Sequence, residues 1–298
     1  MAANPVKPYL QLIRLPNVFT AGADSLAGWL FVGGSLAGSF QWIGLVLGSM
    51  AIYAGGIALN DVFDVEIDRV ERPQRPIPSG RVPYQTALWL AICLLTLGWV
   101  SVSLTREPRS ILVATLLITA VVAYDWGLRT TRLGPQVMGL CRGLNLLLGM
   151  SCGATSLSSP LIVLYVIAYG TFVTGVTWIS RNEASGGGRM LLKLGTALQA
   201  CAFAGLAIIV MVSHSAQELL KVALLVLVGL AVLIFPVDFR AIRAPGPKTI
   251  QTAVKTAILS LVWLHVGVLL GVRGIIAALV VGLFWVPAVT AGRWIYST

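Results

Sequence analysis

Acidic and amide side chains are concentrated directly after a long apolar run in the first quarter of the chain. Residues 60–68 read Asn-Asp-Val-Phe-Asp-Val-Glu-Ile-Asp, in which Asn60, Asp64 and Asp68 recur at every fourth position. On a helix such residues share one face. Mg²⁺ binds hard oxygen ligands, usually one or two protein carboxylates together with phosphate oxygens and water. The pattern predicts that Asn60, Asp64 and Asp68 are metal ligands of a Mg²⁺ site, and that Asp61 is a further ligand or orients one.

Arginines follow this segment at once, around a Pro-Ile-Pro-Ser-Gly turn at residues 76–80. The guanidinium group presents a planar fork of donors that suits phosphate oxygens. Arg72 and Arg75 are therefore predicted to bind an anion that the metal also holds. The alternative is a charged loop that only ends a membrane helix. The four arginines are Arg69, Arg72, Arg75 and Arg81.

A second polar segment, residues 124–132, reads Tyr-Asp-Trp-Gly-Leu-Arg-Thr-Thr-Arg. Beside the first segment, Arg129 and Arg132 are candidate diphosphate ligands, and the Tyr124 ring is suited to stabilising a cation. The alternative is an ordinary helix end at the membrane interface, where aromatic and basic residues are common.

A third polar segment, residues 181–189, contains three consecutive glycines, which allow backbone N–H groups to approach an anion. Glu183 is predicted as a metal ligand and catalytic carboxylate. Arg181, Asn182 and Arg189 are predicted to bind substrate. The alternative is a flexible hinge between two helices.

Two polar residues interrupt a later apolar run, namely Arg142 and Asn145. Ionisable residues inside a membrane are costly and are functional candidates by default. Both are predicted to bind substrate, although Arg142 has the alternative of a structural pair with an acid such as Asp125. Asn17 is a further substrate-binding candidate, or else a helix cap. The two histidines lack ligand spacing and are expected to be incidental.

Composition indicates a membrane protein. Of the 298 residues, 57% are hydrophobic and 11% are charged, and the mean hydropathy is +0.88. The four cysteines lie singly in apolar segments, which is typical of small buried residues and not of a disulfide or zinc site. The net charge of +10 is explained by membrane topology, so no nucleic-acid partner is predicted.

The chain is predicted to be one all-α transmembrane domain over residues 1–298, a bundle of nine or ten helices around a central cavity. Only helices and closed barrels satisfy the backbone in lipid, and these runs are too long and too uniformly apolar for barrel strands. The predicted spans are Val18–Gly38, Trp42–Leu59, Tyr84–Leu104, Ser110–Tyr124, Gly134–Ala154, Pro160–Ile179, Met190–His214, Glu218–Val237, Lys255–Gly271 and Gly274–Ala291.

Charge in the connecting loops predicts the orientation. Fifteen lysines and arginines lie on the face that carries the N-terminus and the three polar segments, against four on the other face. Basic loops stay in the cytoplasm. The N-terminus and the candidate site are therefore predicted to be cytoplasmic.

The motifs together resemble a known family. Asn-Asp-x-x-Asp-x-x-x-Asp at residues 60–68, followed by Arg-Pro-Ile-Pro-Ser-Gly at 75–80, is similar to the signature of the UbiA superfamily of intramembrane prenyltransferases. The run at 141–145 and the loop at 181–187 resemble those of an EboC-like bacterial subgroup. The resemblance implies a cavity open sideways to the bilayer, a bacterial inner-membrane location and Mg²⁺ that bridges two aspartate-rich motifs to an isoprenyl diphosphate.

The implied function is transfer of a prenyl group from an isoprenyl diphosphate to an aromatic or other lipophilic acceptor. Asp61, Asp64, Asp68, Tyr124 and Glu183 would act at the reacting centre. This chain departs from the family at the second aspartate-rich motif, where Arg-Asn-Glu and glycines stand at 181–188. The alternative is a non-catalytic lipid- or isoprenoid-binding or export-associated protein that keeps the fold.

Overall fold

The protein is a bundle of α-helices. The computed structural model describes residues 5–153, 155–181, 188–213 and 217–296, and these contain thirteen α-helices, one short 3-10 helix and no strand. The helices are α1 (Lys7–Leu12), α2 (Leu15–Phe31), α3 (Gln41–Phe63), α4 (Val65–Glu71), α5 (Tyr84–Ser103), α6 (Pro108–Trp126), α7 (Gly134–Met150), α8 (Pro160–Ser180), α9 (Arg189–Ser213), α10 (Gln217–Arg243), α11 (Pro247–Val272), α12 (Ile275–Gly282) and α13 (Trp285–Tyr296).

The lengths of these helices fit a membrane. Within the described residues, eight helical stretches are long and apolar enough to cross one: α3, α5, α6, α8, α9, α10, α11 and the Ile275–Ile295 stretch that contains α12 and α13. Two further helices of the bundle, α2 and α7, have 17 residues each and are shorter than these. The prediction of an all-helical, multi-span membrane bundle is confirmed, and the protein is an integral multi-pass membrane protein.

Several predicted boundaries were wrong by up to a helical turn or two. Helix α2 ends at Phe31, well before Gly38, because the chain turns at Gly33, whose φ of 86° lies in the left-handed region. Helices α10 and α11 continue past the ends of their apolar runs, to Arg243 and from Pro247. Long basic side chains can extend to the interface, so a helix need not stop where the apolar run stops.

The acidic segment does not lie on one unbroken helix. Helix α3 ends at Phe63 and α4 begins at Val65, with Asp64 between them. The pitch nevertheless continues, because the Asp64 amide donates to the Asn60 carbonyl at 3.0 Å and the Asp68 amide to the Asp64 carbonyl at 2.8 Å. The predicted shared face therefore survives the junction.

Glycines let α2 and α7 approach each other closely. A Cβ added to Gly149 would overlap with the carbonyl oxygen of Ser25, and one added to Gly28 would overlap with that of Leu146. Small residues are common where membrane helices pack backbone to backbone. This contact sets a short distance between α2 and α7, the two helices that carry a buried polar network.

Candidate active site

One cavity of about 680 Å³ opens among α2, α3, α6, α7, α8 and α11. Charged side chains of the acidic segment and of the loop after α6 line its outer end. Apolar side chains line the part that lies among the membrane helices. The apolar lining includes Ile52, Leu117, Val121, Val173, Val176 and Leu261.

Arginine side chains hold the acidic segment together at the cavity mouth. Arg75 donates to the Asp68 carboxylate at 2.6 Å and to the Asp61 carboxylate at 3.2 Å. Arg14 also reaches Asp61, at 3.4 Å. Both carboxylates are buried, with side chains 5% exposed, while the Arg75 side chain is 18% exposed. These two buried charges are thus paired, which offsets the cost of burying them.

The third carboxylate of the segment, Asp64, forms an ion pair with Arg129. Arg129 lies in the 3-10 helix Leu128–Thr130 that follows α6. Burial lowers the pKa of the Arg129 guanidinium below its ordinary value. Arg181, at the end of α8, donates to the Thr130 carbonyl at 3.0 Å and so ties this turn to the opposite side of the cavity.

Asp125, the penultimate residue of α6, also lines the cavity. Its Oδ1 accepts a hydrogen bond of 3.0 Å from the Asn60 amide nitrogen. The suggested pairing of Asp125 with Arg142 is wrong, because α6 places Asp125 against α3 while α7 places Arg142 against α2.

Arg142 instead pairs with Asp24, deep within the bundle. Its Nη1 donates to Asp24 Oδ2 at 2.7 Å, and Asn145 donates to the same oxygen at 3.1 Å. Tyr169 donates to Asp24 Oδ1 at 2.5 Å, and His265 Nε2 lies 3.1 Å from it. These hydrogen bonds satisfy a carboxylate that has no solvent exposure.

Sequence reasoning missed three members of this network, Asp24, Tyr169 and His265. Asp24 is a lone acid within the first apolar span, and an ionisable residue in such a span is by itself a sign of a buried polar contact or a functional role. His265, expected to be incidental, is completely buried, and its Nδ1 lies 2.7 Å from the Tyr165 hydroxyl. Arg142 and Asn145 both line the cavity, and the Arg142 guanidinium lies 4.6 Å from the centre of the Tyr53 ring.

The other predicted residues are placed as follows. Asn17, Arg72 and Tyr124 line the cavity. Asn17 does not cap α2, which begins two residues earlier at Leu15. Arg189 is not part of the cavity lining within the described residues, and its guanidinium donates to the Arg243 carbonyl at 3.4 Å. Asn182 and Glu183 lie outside the described residues.

The donor set at the cavity mouth consists of carboxylate and amide oxygens, which suit a hard cation. The described residues contain no group of three or more His, Cys, Asp and Glu side chains that would hold a metal by themselves. Mg²⁺ does not require such a group, because phosphate oxygens and water complete its shell. Asp125 Oδ2 is buried and has no hydrogen-bond partner in the described part of the chain. An oxygen of this kind fits a metal ligand.

The fold and the site together define a multi-pass membrane protein whose cavity is charged at its mouth and mostly apolar within. The sequence profile of the UbiA prenyltransferase family matches residues 24–262. The chain belongs to this family.

Individual relatives agree with this assignment. The chain is 37% identical over 145 residues to digeranylgeranylglyceryl phosphate synthase of Metallosphaera sedula, an alignment that covers 48% of this chain and 51% of the relative. The chain thus spans about half the length of this relative. Among solved structures, a UbiA homologue from Aeropyrum pernix K1 superposes with a TM-score of 0.69 at 19% identity, over 85% of this chain and 97% of that one.

A UbiA homologue from Archaeoglobus fulgidus, bound to GPP and Mg²⁺, superposes with a TM-score of 0.60 at 16% identity. The match covers 98% of this chain and 100% of that chain. At such identities the structural matches establish a shared fold.

Proposed function

We propose that the protein transfers an isoprenyl group from its diphosphate to a lipophilic acceptor within the membrane, in a Mg²⁺-dependent reaction. One observation carries the proposal: paired acids and arginines form the mouth of a cavity whose interior is mostly apolar, with Arg142 and Asn145 as its polar members. A diphosphate fits the mouth and an isoprenyl chain fits the interior. An isoprenyl diphosphate, like this cavity, is charged at one end and apolar along the rest of its length.

Arginines would neutralise the diphosphate. Arg72, Arg75 and Arg129 line the mouth, and their guanidinium forks suit phosphate oxygens. As the bond between C1 and the diphosphate oxygen breaks, both electrons leave with the diphosphate. Positioned cations stabilise this developing charge, which is usually the largest contribution to such catalysis. Arg142, Asn145, Asn17 and Arg181 belong to the proposed substrate-binding residues as well.

The apolar lining would shelter the allylic cation from water. The acceptor forms a bond to C1 and loses its proton. Excluding water prevents hydrolysis of such a reactive species. The Tyr124 ring, which lines the cavity, is suited to stabilising a nearby positive charge.

Mg²⁺ would bind among Asn60, Asp64, Asp68 and the predicted ligand Glu183. When bound, it supplies positive charge that polarises the diphosphate as a Lewis acid. Support comes from the Archaeoglobus fulgidus homologue, which was solved with GPP and Mg²⁺. Asp61, paired with Arg75 and Arg14, would hold this arrangement in place.

Two classes of acceptor are open to test. The resemblance in the sequence implies an aromatic or other lipophilic acceptor. The Metallosphaera sedula relative is named for a product that carries a glyceryl phosphate. We therefore propose a lipophilic acceptor, a class that includes both aromatic compounds and glyceryl phosphate lipids. An assay with each kind of acceptor distinguishes between them.

The test is release of pyrophosphate by the purified protein in lipid nanodiscs. Geranyl, farnesyl and geranylgeranyl diphosphates are supplied with phenolic acceptors in one series and glyceryl phosphate lipids in another, with and without Mg²⁺. We expect Mg²⁺-dependent release with one acceptor series. Binding of a diphosphate without release from any combination would instead support the non-catalytic, isoprenoid-binding alternative.

A further inference from the structure

Asp125 stands apart from the other buried acids of the cavity. The carboxylates of Asp64 and Asp68 each form an ion pair with an arginine, Arg129 and Arg75 respectively. Asp125 has no ion pair within the described residues, and its Oδ2 has no hydrogen-bond partner there. The residue is only 4% exposed, so water compensates for little of its charge.

The hydrogen bond from Asn60 orients both side chains. Asn60 donates its amide nitrogen to Asp125 Oδ1, which leaves the Asn60 amide oxygen as the acceptor of that side chain. Asn60 lies one helical turn before Asp64 on the same face. Asp125 on α6 therefore faces the metal-binding side of α3 across the cavity mouth.

We infer that Asp125 is an additional carboxylate ligand of the Mg²⁺, acting together with Asn60 and Asp64. The inference rests on the proposed function, because the cation is the one that the proposed transfer uses. Asp125 would join Asn60, Asp64 and Asp68 of the proposed site as a further hard oxygen ligand of an ion whose shell also contains phosphate oxygens. The positive charge of the ion would stabilise a buried carboxylate oxygen that otherwise lacks a partner.

This assignment also bears on the third polar segment. Residues 181–188 contain one carboxylate, Glu183. A ligand from α6 supplies a second acid across the cavity from α3. The resulting site has carboxylates on two separate helices, which fixes the ion between them.

The experiment measures metal affinity directly. Wild-type protein in nanodiscs is saturated with geranyl thiolodiphosphate, which does not react, and bound Mn²⁺ is followed by electron paramagnetic resonance. Asp125→Asn keeps the oxygen that accepts from Asn60 and removes the charge. Asp238→Asn is the matched control, because Asp238 is a buried carboxylate of α10 that also has an unpartnered oxygen but lies outside the cavity lining. Asp125→Ser is titrated in parallel, and thermal unfolding verifies that each variant is folded.

We expect Asp125→Asn and Asp125→Ser to weaken Mn²⁺ binding by about tenfold or more, and Asp238→Asn to bind as wild type does. Unchanged Mn²⁺ affinity in a folded Asp125 variant would overturn the inference, as would a wild-type protein that binds no Mn²⁺. A wild-type protein that binds Mn²⁺ but releases no pyrophosphate from reactive substrates would contradict the proposed function alone, and the role of Asp125 would stand.

Discussion

At the level of individual residues, each buried carboxylate of the acidic segment forms an ion pair with an arginine at the cavity mouth. Arg75 bridges Asp61 and Asp68, and Arg129 pairs with Asp64. The pairs keep several acids within a small volume that would otherwise repel one another. The same guanidinium groups are available to a diphosphate, so the pairing also prepares the mouth for an anionic substrate.

Removing the charge of Asp64 tests the proposed metal and diphosphate site. Asp64→Asn keeps the shape of the side chain, and we expect Mg²⁺-dependent pyrophosphate release to fall about 100-fold or more because an electrostatic contribution is lost. Glu66→Gln is the control, since the Glu66 side chain is 75% exposed and, among the described residues, pairs with Arg69 on the surface. Equal turnover by Asp64→Asn and wild type would contradict the assignment.

The buried pair of Asp24 and Arg142 is expected to be coupled. Either Asp24→Asn or Arg142→Gln leaves one uncompensated charge among membrane helices, and we expect each to lower the free energy of unfolding by about 3–5 kcal/mol. The double variant should lose less than the sum of the two, because it leaves no charge behind. Unfolding in detergent measures the three values, and strict additivity would show that the pair is not coupled.

At the scale of elements, the site depends on how closely helices approach. Helices α2 and α7 carry Asp24 and Arg142, and their contact at Gly149 and Ser25 has no room for a side chain. The junction between α3 and α4 similarly keeps Asp64 in register with Asn60. Backbone geometry, as much as side-chain identity, therefore sets the distances within the site.

Alanine at Gly149 should separate α2 from α7. We expect Gly149→Ala to lower stability by about 1–3 kcal/mol, the usual cost of overpacking, and to reduce turnover. Gly229→Ala on α10 is the matched control, because nothing lies within 4 Å of an added Cβ there. That variant should be neutral or gain up to ~1 kcal/mol from helix propensity. Thermal unfolding in nanodiscs compares the two, and similar stabilities would refute the close contact.

At the scale of the whole molecule, the two membrane faces of the bundle differ in their content of lysine and arginine. The C-terminal ends of α3, α6, α8 and α10 lie on one face, as the contacts of Arg129 with Asp64, Arg181 with Thr130 and Arg189 with Arg243 show, and the sequence places most of the arginines and lysines at this face. We propose that this face, with the cavity mouth, is cytoplasmic, because basic loops are retained there. The diphosphate substrate would then enter from the cytoplasm and the lipophilic acceptor from the bilayer.

Cysteine accessibility tests this orientation. Gln74→Cys lies in the exposed loop after α4, and Ala37→Cys lies in the exposed loop between α2 and α3. In a background with the four native cysteines replaced, we expect a membrane-impermeant maleimide to label Ala37→Cys in intact cells. Gln74→Cys should react only after the membrane is opened. The reverse pattern would show that the predicted orientation is wrong.

The sequence alone determined the membrane-helix class, the acidic segment and the arginines around it. These features are local: apolar runs of sufficient length must become helices in lipid, and a four-residue spacing aligns Asn60, Asp64 and Asp68 on one face whatever the rest of the chain does. Helix ends were less predictable, as α2, α10 and α11 illustrate, because caps and interfacial side chains decide them.

Only the tertiary structure decided which polar groups are partners. Arg142 pairs with Asp24 across 118 positions of the chain, and Asn60 contacts Asp125 across 65. Such choices depend on the angle and separation at which helices pack, which arise from close contacts such as that of Gly149 with Ser25. A buried charge must find a partner somewhere in the bundle, but sequence spacing does not say which one, since that partner comes from a helix distant in the chain.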